Sequence, residues 1–598
     1  VVRLFDQINR SLSNQRRKLP GFRAGFSSSN DLPKKLRLPT WSQLRRLPDV
    51  LSAVELKIFV GLIIACVMAL AWLGIRFYLH HTVVEPKVGG EYVEGVVGNP
   101  KYINPVLSQA NDADLDLTRL IYSGLFKYDA TGDIVPDLAE GYELSEDQKT
   151  YTIHLRSGVV WHDGQAFGAN DVLTTVDFIQ AAEVNSPLEP NLHGVIVESP
   201  DDRTVTLTLK EPFAPFLNSL TFGIIPAHIW SDIPATSFAL AEANLKPIGT
   251  GPFKFRVLKK DGRSGVIRSY EVVRNDCYYN QAPYIEKMTF LFYPDLTSEI
   301  DAGKSKKVEG LGYIPKESRT TLEKNREIIA KLLRLPQYTA VFLNQKNSLL
   351  KVSEIKQALA YALDKPAIIQ AALNGEGEAI QGPILPGYIG YNPEIKKYEY
   401  DPAKAMETLD KAGWTVPEGS TLRKKGEQEL RFTLTTIDQP DFVTTANQLK
   451  DYWEKIGVGV ELQIIDSARI EKYVIKPRDY EALLVGEIVG TDPDPYPFWH
   501  SSQGKDPGLN LSIFANKDVD QLLEEARKTS DPEQRRMKYL HFQNILAEQL
   551  PAIFLYNPTY TYGLAEKIKG FYLERITVPA DRFIDVEKWY IKTLRRWR

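Results

Sequence analysis

Residues 58–75, IFVGLIIACVMALAWLGI, form eighteen consecutive positions without a charge, bounded by Lys57 and Arg76. At a helical rise of about 1.5 Å per residue such a run spans roughly 27 Å, close to the roughly 30 Å hydrocarbon core of a bilayer. Hydrocarbon offers no partner to an unpaired N–H or C=O, so a single spanning segment has to be helical. Phe77, Tyr78 and Leu79 extend the run to the interface, where Arg76 can snorkel. The chain is therefore expected to carry one transmembrane helix, residues 56–80, between a short tail and a long body.

Charge sets the expected orientation. Residues 1–55 hold eleven Lys or Arg against four Asp or Glu, a net of +7, which leaves −10 for the rest of a chain whose total is −3. The positive-inside rule then puts the tail in the cytoplasm and the body outside the cell membrane. Few apolar residues recur with any period in the tail, so it is expected to be mostly disordered. A cleavable signal peptide needs a short basic region and a small-x-small site, and neither is present. Ile63-Ile64-Ala65-Cys66 loosely resembles a lipoprotein box, but the apolar run continues for nine residues past Cys66. An uncleaved anchor is the expectation. Membrane topology accounts for the basic tail, and no nucleic-acid partner is expected. Cys66 and Cys277 are the only cysteines, which excludes a disulfide framework.

At 598 residues the chain is too long for one core, and two to four domains are expected. Tyr151, Ile153 and Leu155 alternate with polar residues, as do Val205, Leu207 and Leu209, marking two half-buried strands. His162-Asp163-Gly164 reads as a turn rather than a catalytic pair, and Gly249 with Gly251 as a tight turn without the Lys of a phosphate loop. Ile355, Ala358, Leu359, Ala362 and Leu363 follow helical spacing until Lys365-Pro366 interrupts them. Asp401-Pro402 opens a helix with Met406 and Leu409 as its buried stripe, and Gly413 ends it. A helix over 447–456, a strand over 458–465, helical material and a strand over 481–485 suggest an α/β layer. Val519, Leu522, Leu523 and Ala526 mark one later helix, and the capping box Asp531-Pro532-Glu533-Gln534 opens another.

Residues 485–501, VGEIVGTDPDPYPFWHS, are the richest in candidate contacts. Pro493, Pro495 and Pro497 remove three N–H donors, so the stretch is read as an extended loop leaving a strand end. It presents Asp492, Asp494 and Tyr496, which suits either the grip on a small ligand or a packed surface loop. Asp492-x-Asp494 lacks the central Gly and closing Glu of a calcium loop. HExxH, GxSxG, CxxC pairs and dinucleotide or phosphate fingerprints are all missing from the sequence. No enzyme, metal or cofactor is expected.

In order along the chain, LRSGVVWHDGQAFGANDV (155–172), DDRTVTLTLKEPFAPFLNSL (201–220), IIPAHIW (224–230), KPIGTGPFKF (246–255), SEIKQALAYALDK (353–365), DPAKAMETLDKAGW (401–414), residues 479–501 and residues 519–556 resemble the oligopeptide/dipeptide-binding family, family 5, of solute-binding proteins serving ABC importers. The resemblance implies an α/β, two-lobed periplasmic-binding-protein-like fold with an extra subdomain in lobe I, here preceded by one transmembrane helix. Lobe I would comprise 86–125, 246–335 and 556–598, the inserted subdomain 126–245, and lobe II 336–555. The crossings would fall near 334–339 and 555–559. The implied function is capture of a short peptide or similar small solute between the lobes, by hinge closure, for delivery to ABC permease subunits. The lipid bilayer would hold the protein through residues 58–79, and the body would act as a monomer.

Peptide binders of the family place an Asp shortly after a strand ending Gly-Trp, where it pairs with the ligand's α-amino group. The matching strand is Leu484-Val485-Gly486, with Asp492 the nearest carboxylate and Asp494 the alternative. Glu487 stands where Trp is usual, either favouring cationic ligands or pointing to solvent. Tyr496 is the aromatic candidate on the loop, though packing is the commoner use of such a ring. Two other readings remain open, a peptide-sensing receptor signalling through the tail and a binder of a non-peptide solute.

Overall fold

The alternating segments become neighbours. In the computed structural model, which describes residues 52–324 and 328–597, strand Thr150–Leu155 pairs antiparallel with Thr204–Thr208 and with Ala139–Leu144. Ile196–Asp201 completes a four-stranded sheet. Tyr151, Ile153, Val205 and Leu207 turn to one face and join Val172, Val176 and Ile179 of helix Ala169–Gln180. The same hydrophobic cluster runs on into Tyr92, Tyr270, Phe290 and Trp589. This small sheet thus shares its core with the strands beside it instead of enclosing one of its own.

His162 and Asp163 are absorbed by the turn. Gly249 donates its N–H to His162 Nδ1 at 3.2 Å, and Nε2 lies 3.0 Å from the Gly251 carbonyl. Burial pushes the imidazole pKa down to about 4, so it is neutral at physiological pH. A Cβ on Gly249 would fall 1.9 Å from the Ile121 carbonyl oxygen, which is why only glycine fits that approach.

The described residues divide into two units, 52–83 with 595–597, and Val84–Leu594. In the first, helix Ala53–His81 starts from a Ser52–Glu55 capping box, buries none of its residues, and is long and apolar enough to cross a membrane. The tail through residue 51, and the disorder expected for it, lie outside the described residues.

A twelve-stranded sheet organises the second unit. Its pivot is the long strand Ala552–Ala565. Residues 552–556 pair with Gln337–Leu343, while residues 559–565 pair with Ile328–Arg334. On one side lie Gln337–Leu343, Ala482–Ile488, Arg431–Ile437 and Gly459–Ile465; on the other lie Gly310–Leu311, Glu91–Val97, Lys287–Tyr293, Ile267–Arg274 and Phe253–Lys260. The result is a two-lobed α/β body whose lobes share a continuous strand. In the lobe around Ala482–Ile488, alternate residues enter two separate clusters: Ala482 and Leu484 pack with Val341 and Ile553, and Leu483 and Val485 with Phe342 and Phe554. Both faces are covered, which explains an unbroken apolar run where a one-sided strand would alternate.

Several sequence expectations need correction. Met406 is 37% exposed, and the buried stripe of helix Pro402–Lys411 is Ala405 with Leu409. Helix Ser353–Tyr361 stops before Lys365-Pro366, which instead opens helix Lys365–Leu373, capped by Asp364, because a first-turn proline gives up an N–H that had no partner. The helix expected over 447–456 begins earlier, at Pro440. The strand expected to stop near residue 485 runs to Ile488, with Gly486 and Glu487 still paired to Thr339 and Tyr338. Tyr496–Trp499 is one helical turn, not extended chain, with Pro497 in its first turn.

Candidate functional site

The loop after Ala482–Ile488 turns its two aspartates into different ion pairs. Asp492 faces helix Pro532–Gln549, where Arg535 Nη1 donates to Oδ2 at 2.6 Å and Nη2 donates to Oδ1. Arg535 Nη2 also donates to the Tyr539 hydroxyl, one helical turn on, at 2.9 Å. The fork geometry matches a carboxylate, and the pair's side chains are 7% and 15% exposed. Asn218 adds a long contact to Asp492 Oδ2 at 3.5 Å.

Asp494 takes Arg527, with Nε at 2.8 Å and Nη2 at 2.7 Å from Oδ2. Burial raises its pKa and the Arg527 charge opposes that rise. The Arg527 guanidinium also lies 4.2 Å from the centre of the Tyr496 ring, which stacks on His500 at 4.1 Å. Tyr496 therefore braces the Asp494–Arg527 pair.

Glu487 does not reach solvent. It is 8% exposed, accepts a hydrogen bond from the Tyr338 hydroxyl on Oε2 at 2.5 Å, and has no hydrogen-bond partner on Oε1 among the described residues. Burial pushes its pKa up to about 8, against the Tyr338 hydrogen bond and the Arg478 charge. At neutral pH it is a protonated acid, so it offers no anion for a cationic ligand.

Asp492 also lines a cavity of about 230 Å³, together with Thr491, Tyr128, Asn218, Tyr388 and Arg575. Asp129 and Asp133, in the turn between Phe126–Tyr128 and Ile134–Pro136, add carboxylates to its wall. Of the four candidates read from the sequence, Asp492 alone lines this cavity; Asp494, Glu487 and Tyr496 lie beside the loop's own supports. Segments remote in sequence meet around it. Thr491 hydrogen-bonds Tyr128, and Arg575 Nη1 donates to the Gly387 carbonyl at 3.0 Å. A larger hollow of about 700 Å³ on helix Pro532–Gln549 is lined by that helix and Leu522 alone, with no such convergence.

Tyr128, Asn218, Arg575 and Arg535 carried no sequence signal of a site. Only the Asp129-x-Thr131-Gly132-Asp133 turn was visible in principle, since Asp129 accepts from the Thr131 and Asp133 N–H groups while Gly132 takes φ +88°.

Residues 133–509 match the family described as bacterial extracellular solute-binding proteins, family 5 Middle. The oligopeptide-binding protein AppA of Bacillus subtilis is 30% identical over 521 residues, covering 85% of this chain and 92% of that protein. The dipeptide-binding protein of Escherichia coli is 28% identical, covering 80% and 91%. Among solved structures, AppA of Bacillus subtilis in complex with a nonapeptide aligns at TM-score 0.64 and 29% identity, covering 85% of this chain and all of that one. NikZ of Campylobacter jejuni in complex with Ni(L-His) aligns at TM-score 0.66 and 26% identity, covering 84% and 99%.

Proposed function

The chain belongs to the family 5 bacterial extracellular solute-binding proteins, and from that premise we propose that it binds a short peptide in the cavity beside Asp492 and delivers it to the membrane subunits of an ABC importer. The observation that carries this reading is the cavity itself: segments more than 440 residues apart bring Asp129, Asp133, Asp492 and Arg575 around about 230 Å³. A free peptide carries a charge of each sign and a polar backbone, so a cleft with fixed carboxylates and a guanidinium suits it.

Asp492 is the residue proposed to meet the ligand's cationic end, sharing its oxygens with Arg535. Asp494, Tyr496 and Glu487 are proposed to hold the loop in place. A ligand that touches both lobes favours the closed arrangement only through interactions it cannot make in the open one, and capture is then a hinge motion. Helix Ala53–His81 is proposed as an uncleaved membrane anchor with a cytoplasmic N-terminal tail, keeping the binder at high effective concentration near its permease.

One observation favours a second reading, a non-peptide solute: both oxygens of Asp492 already receive hydrogen bonds from Arg535, and a relative is described with Ni(L-His). Native mass spectrometry of the full chain, released from membranes in mild detergent, tests the two. Short peptides among the co-purified masses support the first reading. A metal chelate or a sugar in their place sinks it and leaves the family intact.

A further inference from the structure

The end of the chain returns to the end of the apolar helix. Trp597 meets Tyr78 edge to face, with ring centroids 5.6 Å apart, and lies 6.4 Å from Phe77. The Arg595 guanidinium lies 6.0 Å from the Tyr78 ring, and its Nη1 donates to Thr82 Oγ1 at 3.0 Å. Thr82 in turn donates to the Tyr78 carbonyl at 2.6 Å, which ties the contact to the helix's last turn. The first and last described parts of the chain therefore form one small unit.

Two features of this segment call for a cover other than water. Strand Lys592–Trp597 buries none of its residues, and Trp597 is 60% and Leu594 38% exposed. Residues 588–598 also hold Lys588, Lys592, Arg595, Arg596 and Arg598 with no Asp or Glu, in a chain otherwise acidic after residue 55. Depth narrows the choice. Tyr78 stands three residues past the end of the apolar run, roughly 4–5 Å along the helix axis. A side chain resting on the Tyr78 ring is then at headgroup level whenever residues 58–75 span the bilayer.

We propose that residues 595–597 form a second membrane contact, in which Trp597 completes an aromatic belt with Phe77 and Tyr78 while Arg595 turns its remaining donors to phospholipid phosphates. This inference rests on the anchor reading of helix Ala53–His81. Indole at the interface and arginine against phosphate are each favoured there, and anionic lipid strengthens the second. The consequence is attachment at two points: the body between residues 84 and 594 is tethered through both of its ends.

Spin-label depth measurements on the full chain in lipid nanodiscs test this, one set zwitterionic and one containing phosphatidylglycerol. A nitroxide on native Cys66, with Cys277→Ser, reports the helix. A nitroxide at Arg596→Cys, with Cys66→Ser and Cys277→Ser, reports the segment while leaving Trp597 and Arg595 in place. The expected result is a Cys66 label buried from aqueous relaxants and a 596 label at headgroup depth, moved to water by Trp597→Ala. Arg595→Gln is expected to lower the bound-to-free ratio of the 596 label about five-fold in the anionic discs, the factor equivalent to ~1 kcal/mol per basic residue. A deep Cys66 label with a fully aqueous 596 label overturns the second contact and keeps the anchor. An aqueous Cys66 label overturns both.

Discussion

Two of the arginines that hold carboxylates in this protein, Arg582 and Arg535, stand in contrasting surroundings. Arg582 is 1% exposed and binds Glu94 at 3.0 Å and Asp116 at 2.5 Å, themselves 0% and 2% exposed. It joins strand Glu91–Val97 to the far end of the chain, inside a lobe, and lines none of the Asp492 cavity's wall. Arg535 uses the same fork on Asp492, but that pair stands on the cavity wall. Sealed among protein groups, the chemistry fastens the chain; on a cavity wall, it leaves the carboxylate that we propose a ligand meets. Burial decides between these uses, because a charge pair shut away from water has nothing else to bind.

Removing the sealed cation is expected to produce the largest effect. Arg582→Met leaves two buried carboxylates facing each other and should cost about 3–5 kcal/mol of stability, read from urea unfolding. The affinity of the folded fraction for its ligand should not change. A loss of affinity instead would place Arg582 in the binding machinery and dissolve the contrast.

Glu487 sharpens the comparison from the other side, as a buried carboxyl with no cation bonded to it among the described residues. Its pKa rises to about 8 in the folded state, so between its ordinary value near 4.5 and 8 the unfolded chain has released a proton that the folded chain keeps. Stability therefore falls as pH rises through that window, by at most about 1.4 kcal/mol per unit, and levels off above it. Glu487→Gln should remove this slope, making the variant a few kcal/mol more stable than the parent at pH 8 and little different near pH 5. Denaturation curves at pH 5, 6.5, 8 and 9 measure it; parallel pH profiles for parent and variant would show that Glu487 ionises freely.

Asp492→Asn probes the cavity-wall pair directly. Ligand affinity should weaken by about 1.5–3 kcal/mol, measured by calorimetry with the co-purified ligand. Unchanged affinity with lowered stability would make Asp492–Arg535 a structural clamp like Arg582. Met406→Gln sets the floor: on an exposed helical position it should shift stability by less than about 0.5 kcal/mol.

Much of the fold was legible because local periodicity and end signals reflect local physics. Asp531 caps helix Pro532–Gln549 as its spacing with Glu533 and Gln534 suggests, and the alternation at 151–155 marks a strand with one buried face. Met406 failed because helical spacing leaves the stripe's edge ambiguous, and only the neighbouring elements fix which side is covered. The loop after Ala482–Ile488 was legible as a place, and Asp492 as a candidate that the structure sets on a cavity wall, but not the partners. Arg535 is 43 residues from Asp492, Asn218 is 274, and Arg575 reaches Gly387 across 188. No local pattern encodes such distances.

By itself, then, the sequence determined an apolar span of eighteen residues, a charge asymmetry across it, the helices and strands that carry period and caps, and an ordered series of motifs belonging to one family. Only the tertiary structure decided that Glu487 is buried against Tyr338, that Asp492 and Asp494 turn to different arginines, and that Trp597 returns to Tyr78. Secondary structure follows from forces acting over a few residues. A carboxylate's charge, partners and access to a ligand depend on which distant groups exclude water from it.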